Sequence, residues 1–128
     1  MPDVSNEFNL ELNGDIRMKA SIREIIESTN ELFKSNGWGR NPQEINDGYC
    51  SWFAMTLEFE IGDEVTLQDS SQVDNDDILT SHTWVVYKSK HYDAETPDGV
   101  NDYLDLPQFK RMKKQDIEKF LKKRQQNR

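Results

Sequence analysis

The sequence predicts an α+β domain in which a central apolar helix lies against a small antiparallel sheet. Three observations carry this reading. Apolar residues recur at helical spacing from about Met18 to Ser35, and a run that is apolar around most of a helix's circumference follows Cys50 and stops at Gly62. "SHTWVVY" and "HYDAE" are β-rich stretches separated by a turn-sized "KSK".

In chain order, Phe8, Leu10 and Leu12 alternate with polar residues and meet Asn13-Gly14, a pair suited to a tight hairpin turn, so a short strand is expected there. Ile22, Ile25, Ile26, Thr29, Leu32 and Phe33 then define one face of an amphipathic helix. Ser21 and Glu24 have capping-box spacing, which would move the helix start to Ser21, and Gly37 supplies a stop. "NGWGRNPQEINDG" is rich in Gly, Asn and Pro and reads as a loop that delivers the chain to Cys50. In the next helix Cys50, Phe53, Ala54 and Leu57 form one stripe and Trp52, Met55 and Phe59 a second, which predicts a central helix buried on both sides.

"EVTLQ" reads as a short strand and residues 69–77 as an acidic, mobile stretch. After the hairpin, "TPDGVNDYLDLPQF" reads as a surface loop, and Ile117, Phe120 and Leu121 mark a last short amphipathic helix. At 128 residues one compact core is expected. The division predicted is a single domain over 1–112 and a basic C-terminal helix and tail over 113–128.

Charge and cysteine usage narrow the class. The net charge of −8 conceals an asymmetry: the last 19 residues hold nine of the 16 Lys and Arg but two of the 24 acids, +7 against −15 for the remainder. An acidic body disfavours nucleic acid, whereas the basic tail is either a solvated helix face or a contact for phosphate, a membrane surface or the acidic body itself. One cysteine excludes an internal disulfide framework and favours a reducing, cytoplasmic setting. "MPDVSNEF" has no signal-like character, and no apolar run approaches the roughly 18 residues that span a bilayer, so a soluble protein without membrane contact is expected.

The lone Cys50 sets the chemical question. A thiol becomes a nucleophile where a helix N-terminus or an imidazolium stabilises its thiolate, and Gly48 places a helix start beside Cys50. Two histidines exist. His82 begins a strand, where it can project over a helix end, whereas His91 is expected at the hairpin tip facing solvent. If Ser89 and Lys90 form the turn, paired residues sum to 179, and His82, Trp84, Asp93 and Glu95 share one sheet face. Glu95 is then the diagonal neighbour of His82, while Asp93 lies roughly 13 Å along the strand. Val85, Tyr87, Tyr92 and Ala94 form the opposite, core-facing side.

"GYCSWFA" resembles the Gly-x-Cys-x-x-aromatic-Ala segment that opens the nucleophile helix of transglutaminase-like members of the papain-like cysteine superfamily, and "HTWVVYKSKHYDAETP" resembles their His-x-Trp hairpin with its acidic third member. The resemblance spans about Gly48 to Pro97. It implies a papain-like or transglutaminase-like fold, a triad of Cys50, His82 and either Asp93 or Glu95, and hydrolysis of, or acyl transfer from, peptide, amide or ester substrates through a thioester. Aligning on the aromatic before the acid puts Glu95 where the family usually has Asp. Gln43 and Asn46 in the preceding loop are candidate oxyanion or substrate-binding groups beside the Cys50 backbone N–H, and Trp84 is a candidate to shield the thiolate.

Each residue also has a plainer role available. Cys50 on a stripe with Phe53 and Leu57 would suit core packing, Asp93 and Glu95 would suit a strand end and turn, and Trp38 between two glycines would suit a loop anchor. On that reading the protein is a noncatalytic acidic interaction or inhibitor protein that binds a protein partner. Asp69, Asp74, Asp76 and Asp77 lack the Gly and terminal Glu of an EF-hand loop. No zinc-ligand cluster, phosphate-binding glycine loop or serine elbow occurs, so neither a metal nor a cofactor is indicated.

Overall fold

The computed structural model describes residues 20–126. The strand and turn expected around Phe8 to Gly14 lie outside them. The architecture is α+β: α1 (Ile22–Ser35), α2 (Pro42–Ile61), β1 (Val65–Asp69), α3 (Ser70–Val73), β2 (Thr83–Tyr87), β3 (Lys90–Tyr92), a 3-10 turn (Tyr103–Asp105), α4 (Pro107–Lys110) and α5 (Lys114–Gln126). The strands form one antiparallel sheet in the order β1-β2-β3.

The first helix begins where its capping box allows. Ser21 Oγ accepts the Glu24 N–H and the Glu24 carboxylate accepts the Ser21 N–H, satisfying donors that a first turn leaves unpaired. The expected loop before Cys50 is shorter than its composition predicts. Asn41 caps a helix through the Glu44 N–H, and Pro42 occupies the first helical position, where its missing N–H costs nothing. Gly39 lets the chain turn tightly into α2: at φ 105°, an added Cβ would lie 2.6 Å from an Ile45 side-chain carbon. Tyr49, at φ −133° and ψ 24°, then breaks the helical path, so α2 is two segments joined by a kink and the second begins at Cys50.

The hairpin register differs from the expected one by two residues. Val85 pairs with Tyr92, Val86 with His91 and Tyr87 with Lys90, so the turn residues are Lys88 and Ser89, both at positive φ (49° and 67°) as a two-residue hairpin loop of this hand requires. A shift of two preserves every side chain's face. Continued past the end of β3, it brings Asp93 opposite Trp84 and so makes Asp93 rather than Glu95 the diagonal neighbour of His82.

Because successive strand residues face opposite ways, Val85 and Trp84 enter different cores. Val85, Val65, Tyr92 and Ala94 pack with Ile25, Ile26 and Phe33 of α1 and Phe53, Ala54 and Leu57 of α2. Trp84 packs with Leu79, Leu106, Phe109 and the α5 residue Phe120 on the other face. The C-terminal helix is therefore seated on the sheet, and Arg124–Asp102 and Lys123–Asp76 ion pairs brace it. The acidic stretch after β1, expected to be mobile, is ordered by its own carboxylates: Asp69 caps α3, and Asp74 is buried and accepts the Asp76 and Leu79 N–H groups.

The α2 helix is central on one side only. Phe53, Ala54 and Leu57 are buried, whereas Trp52, Met55 and Phe59 are 55%, 54% and 85% exposed, because no element covers that stripe among the described residues. Among those residues no helix is long and apolar enough to cross a membrane. Phe53→Ala should cost about 3–5 kcal/mol in urea unfolding, and Phe59→Ala should stay within about 0.5 kcal/mol of the parent. Equal losses would contradict this assignment of faces.

Candidate active site

Two elements meet where β2 begins. The kink at Tyr49 presents Cys50 at the start of the second α2 segment, half-buried and reachable from solvent, and His82 precedes β2 by one residue with 1% of its surface exposed. Ser51 and Thr83 join the same two elements through a 3.1 Å hydroxyl contact.

His82 is held on several sides. Its ring stacks on Trp84, with centroids 5.9 Å apart and planes 25° apart, and meets the edge of Phe109. Its backbone N–H donates to Ser70 Oγ, and its carbonyl accepts the Ser70 N–H. Ring nitrogen Nε2 lies 2.9 Å from Asp93 Oδ2. Asp93 is itself fixed, because Oδ1 accepts the Glu95 N–H and the Thr96 hydroxyl, both at 2.9 Å. One carboxylate oxygen thus binds the loop while the other binds the imidazole.

With Nε2 committed to Asp93, Nδ1 is the nitrogen left for Cys50. It is buried and has no partner of hydrogen-bond geometry, yet thiol and ring lie close enough to shift each other's ionisation. The contact is best described as a short-range electrostatic one whose alignment is incomplete. Dyads without substrate commonly have this character.

Burial pushes the Cys50 thiol up, but interaction with His82, the Thr83 backbone N–H, the imidazole charge and the Ser51 hydroxyl outweigh it, so the net shift is down. Burial pushes His82 down, but the hydrogen bond to Asp93 and the short-range contact with Cys50, with the charges of both, raise it from 6.5 to about 9. Both directions favour a thiolate beside an imidazolium.

Cys50, His82 and Asp93 are thus brought together, and the other expected site residues are not. Glu95 does not touch the imidazole. Its Oε1 and Oε2 accept Arg111 Nη1 and Nη2 at 2.9 and 2.8 Å, and Oε2 also accepts Asn46 Nδ2 at 2.9 Å. Asn46, 1% exposed, uses its other amide end to accept the Ala94 N–H, so both ends are committed away from any oxyanion. Gln43 is exposed on the first turn of α2, seven residues ahead of Cys50. Trp84 has no exposed surface and cannot meet a substrate; it supports the imidazole ring and donates Nε1–H to His91 Nδ1. His91, expected in solvent, is partly buried by that bond and by its backbone bridge to Val100.

The residues missed were Thr83, Ser70, Thr96 and Arg111. Thr96 carried the one readable signal, a hydroxyl three residues after an Asp in a turn. A polar cavity of about 270 Å³, lined in part by Asp69, Ser71, Ser81 and Thr83, opens next to this end of the sheet. Among the described residues no group of three potential metal ligands assembles. Comparison of the chain with protein-family models, curated proteins and solved structures gives no match.

The ionisation pattern predicts how alkylation of Cys50 by iodoacetamide depends on pH. The rate should level off from a point below the ordinary thiol range, where the thiolate forms, up to about 9, where His82 loses its proton. Asp93→Ala removes a contact that raises His82, so the upper edge should move down toward 6.5. A single rise at the ordinary thiol pKa would contradict the ion pair.

Proposed function

We propose that the protein is a cysteine-dependent hydrolase or acyl transferase of papain-like or transglutaminase-like type, acting on peptide, amide or ester carbonyls. The observation that carries this reading is the buried His82–Asp93 hydrogen bond, with the opposite ring nitrogen left unpaired beside an accessible thiol. A histidine buried only for packing would be expected to satisfy both nitrogens. The motif resemblance around Cys50 and His82 agrees in residue order, though Asp93 lies two residues before the position where the family pattern places its acid, and the α+β arrangement is compatible with it.

In the proposed reaction the Cys50 thiolate attacks the carbonyl carbon, forming a carbon–sulfur bond and a tetrahedral oxyanion. As the oxyanion collapses, the bond to the amine or alcohol breaks and the leaving group takes the proton from His82 Nδ1. The product is a thioester and a neutral imidazole. That imidazole accepts a proton from water, giving hydrolysis, or from an incoming amine, giving transfer. The second collapse releases the acyl product and restores the thiolate. Asp93 keeps Nε2 protonated and stabilises the imidazolium at each stage. Backbone N–H groups at the kink, that of Cys50 included, are the proposed oxyanion donors. A lone, low-pKa thiol suits a reducing compartment, so a cytoplasmic setting is part of the proposal.

The alternative, an acidic interaction or inhibitor protein, draws on one observation, the exposed Trp52-Met55-Phe59 stripe. Incubation with p-nitrophenyl acetate followed by mass spectrometry separates the two readings. The proposed chemistry predicts an acetyl adduct on Cys50, its disappearance in Cys50→Ala, and acylation slowed by about a hundredfold or more in His82→Ala. An unmodified Cys50, or acylation indifferent to His82, would leave the interaction reading in its place.

A further inference from the structure

We infer that Asn46, Glu95 and Arg111 form a positioning relay through which a surface arginine, remote in sequence from the motifs, sets the reactivity of Cys50. The inference rests on the thiol chemistry proposed above and concerns what holds it in register.

The 93–96 turn is pinned at its middle. Ala94 donates its N–H to Asn46 Oδ1 at 3.3 Å and accepts Asn30 Nδ2 at its carbonyl at 3.0 Å, so α2 and α1 both grip one residue. Asn46 can accept from Ala94 only while its amide keeps one orientation, and the Nδ2 bond to Glu95 Oε2 fixes that orientation. The Glu95 side chain is 16% exposed, and its carboxylate stays inside because Arg111 binds both oxygens in a fork. Arg111 is in turn braced by Gln108 Oε1 at 3.1 Å. Without the fork, Glu95 would be a largely buried anion short of donors and would turn to water. Asn46 would lose its orienting partner, the Ala94 anchor would loosen, and Asp93 Oδ2 would drift from His82. Asn46 also lies in the first α2 segment, just ahead of the kink that presents Cys50, so the same side chain registers both ends of the triad.

Geometry and simple charge predict opposite effects of removing Arg111. The charged and titratable groups around it are Asp47, Asp93 and Glu95, with His82 and Cys50 beyond Asp93. Deleting the positive charge alone would make the field more negative and hold the His82 proton more tightly. Loosening Asp93 would release that proton more easily.

The test is the pH profile of iodoacetamide alkylation on the full chain as parent, Arg111→Gln and Arg111→Lys, with urea melts confirming that each is folded. Arg111 is exposed, so these variants should fold. In Arg111→Gln the relay predicts an upper plateau edge lower than the parent's and a rate at neutral pH reduced about tenfold. Arg111→Lys, which restores charge but not the fork, should remain impaired. An unchanged profile, an upper edge that rises, or full rescue by Lys overturns the relay. A parent with no plateau overturns the thiol chemistry itself, and the relay falls with it; the parent arm distinguishes that failure from failure of the variants.

Discussion

The His82–Asp93 hydrogen bond is the contact on which the account of this protein depends. Burial disfavours the charged imidazole, and here a buried carboxylate at 2.9 Å, together with the neighbouring thiol, more than offsets it. That reversal gives the neighbouring thiol its partner. Asp93 is the larger of the two partners that raise His82, and the imidazole is in turn the first group that offsets the desolvation of Cys50.

The fold is arranged around keeping that bond in place. The sheet has two covered faces, and residues on each contribute. Trp84 and Phe109, from the α4–α5 side, wall in the ring. From the α1–α2 side, Asn30 and Asn46 hold the turn behind Asp93. The aromatic contacts leave the imidazole few alternative positions, and the polar ones fix the carboxylate. Burial of His82 is thus a product of two cores meeting at the start of β2. The kink at Tyr49 serves the same end by starting a helical segment at Cys50.

Much of this was legible from residue pattern, and the failures have physical causes. The capping box at Ser21 and the core face of the hairpin follow from short-range rules, whereas the association of Cys50 with His82 rests on a choice between the chain's two histidines and on the motif resemblance. Loop composition concealed the first part of α2, although Asn41, Pro42 and Glu44 are a proper helix start; Gly48 and the Asn residues dominated the reading. The turn was misplaced because Lys88 and Ser89 rarely take positive φ, and nothing local announces that they do so here. That two-residue error put Asp93 too far along the strand to reach His82, whereas it is the acid that bonds the ring. The outer stripe of α2 has the pattern of a buried one, and only packing shows that it is left more than half exposed, with Trp38 and Tyr49 touching Trp52 alone at one end. Arg111 could not be read at all, since its link to Glu95 spans 16 residues and arises from tertiary contact.

The most direct measurement of the central claim is the protonation state of His82 by heteronuclear NMR of its ring nitrogens at neutral pH. The account predicts an imidazolium, with protons on both Nε2 and Nδ1, that titrates at about 9. A neutral ring at neutral pH, titrating at or below the ordinary histidine value, would contradict it.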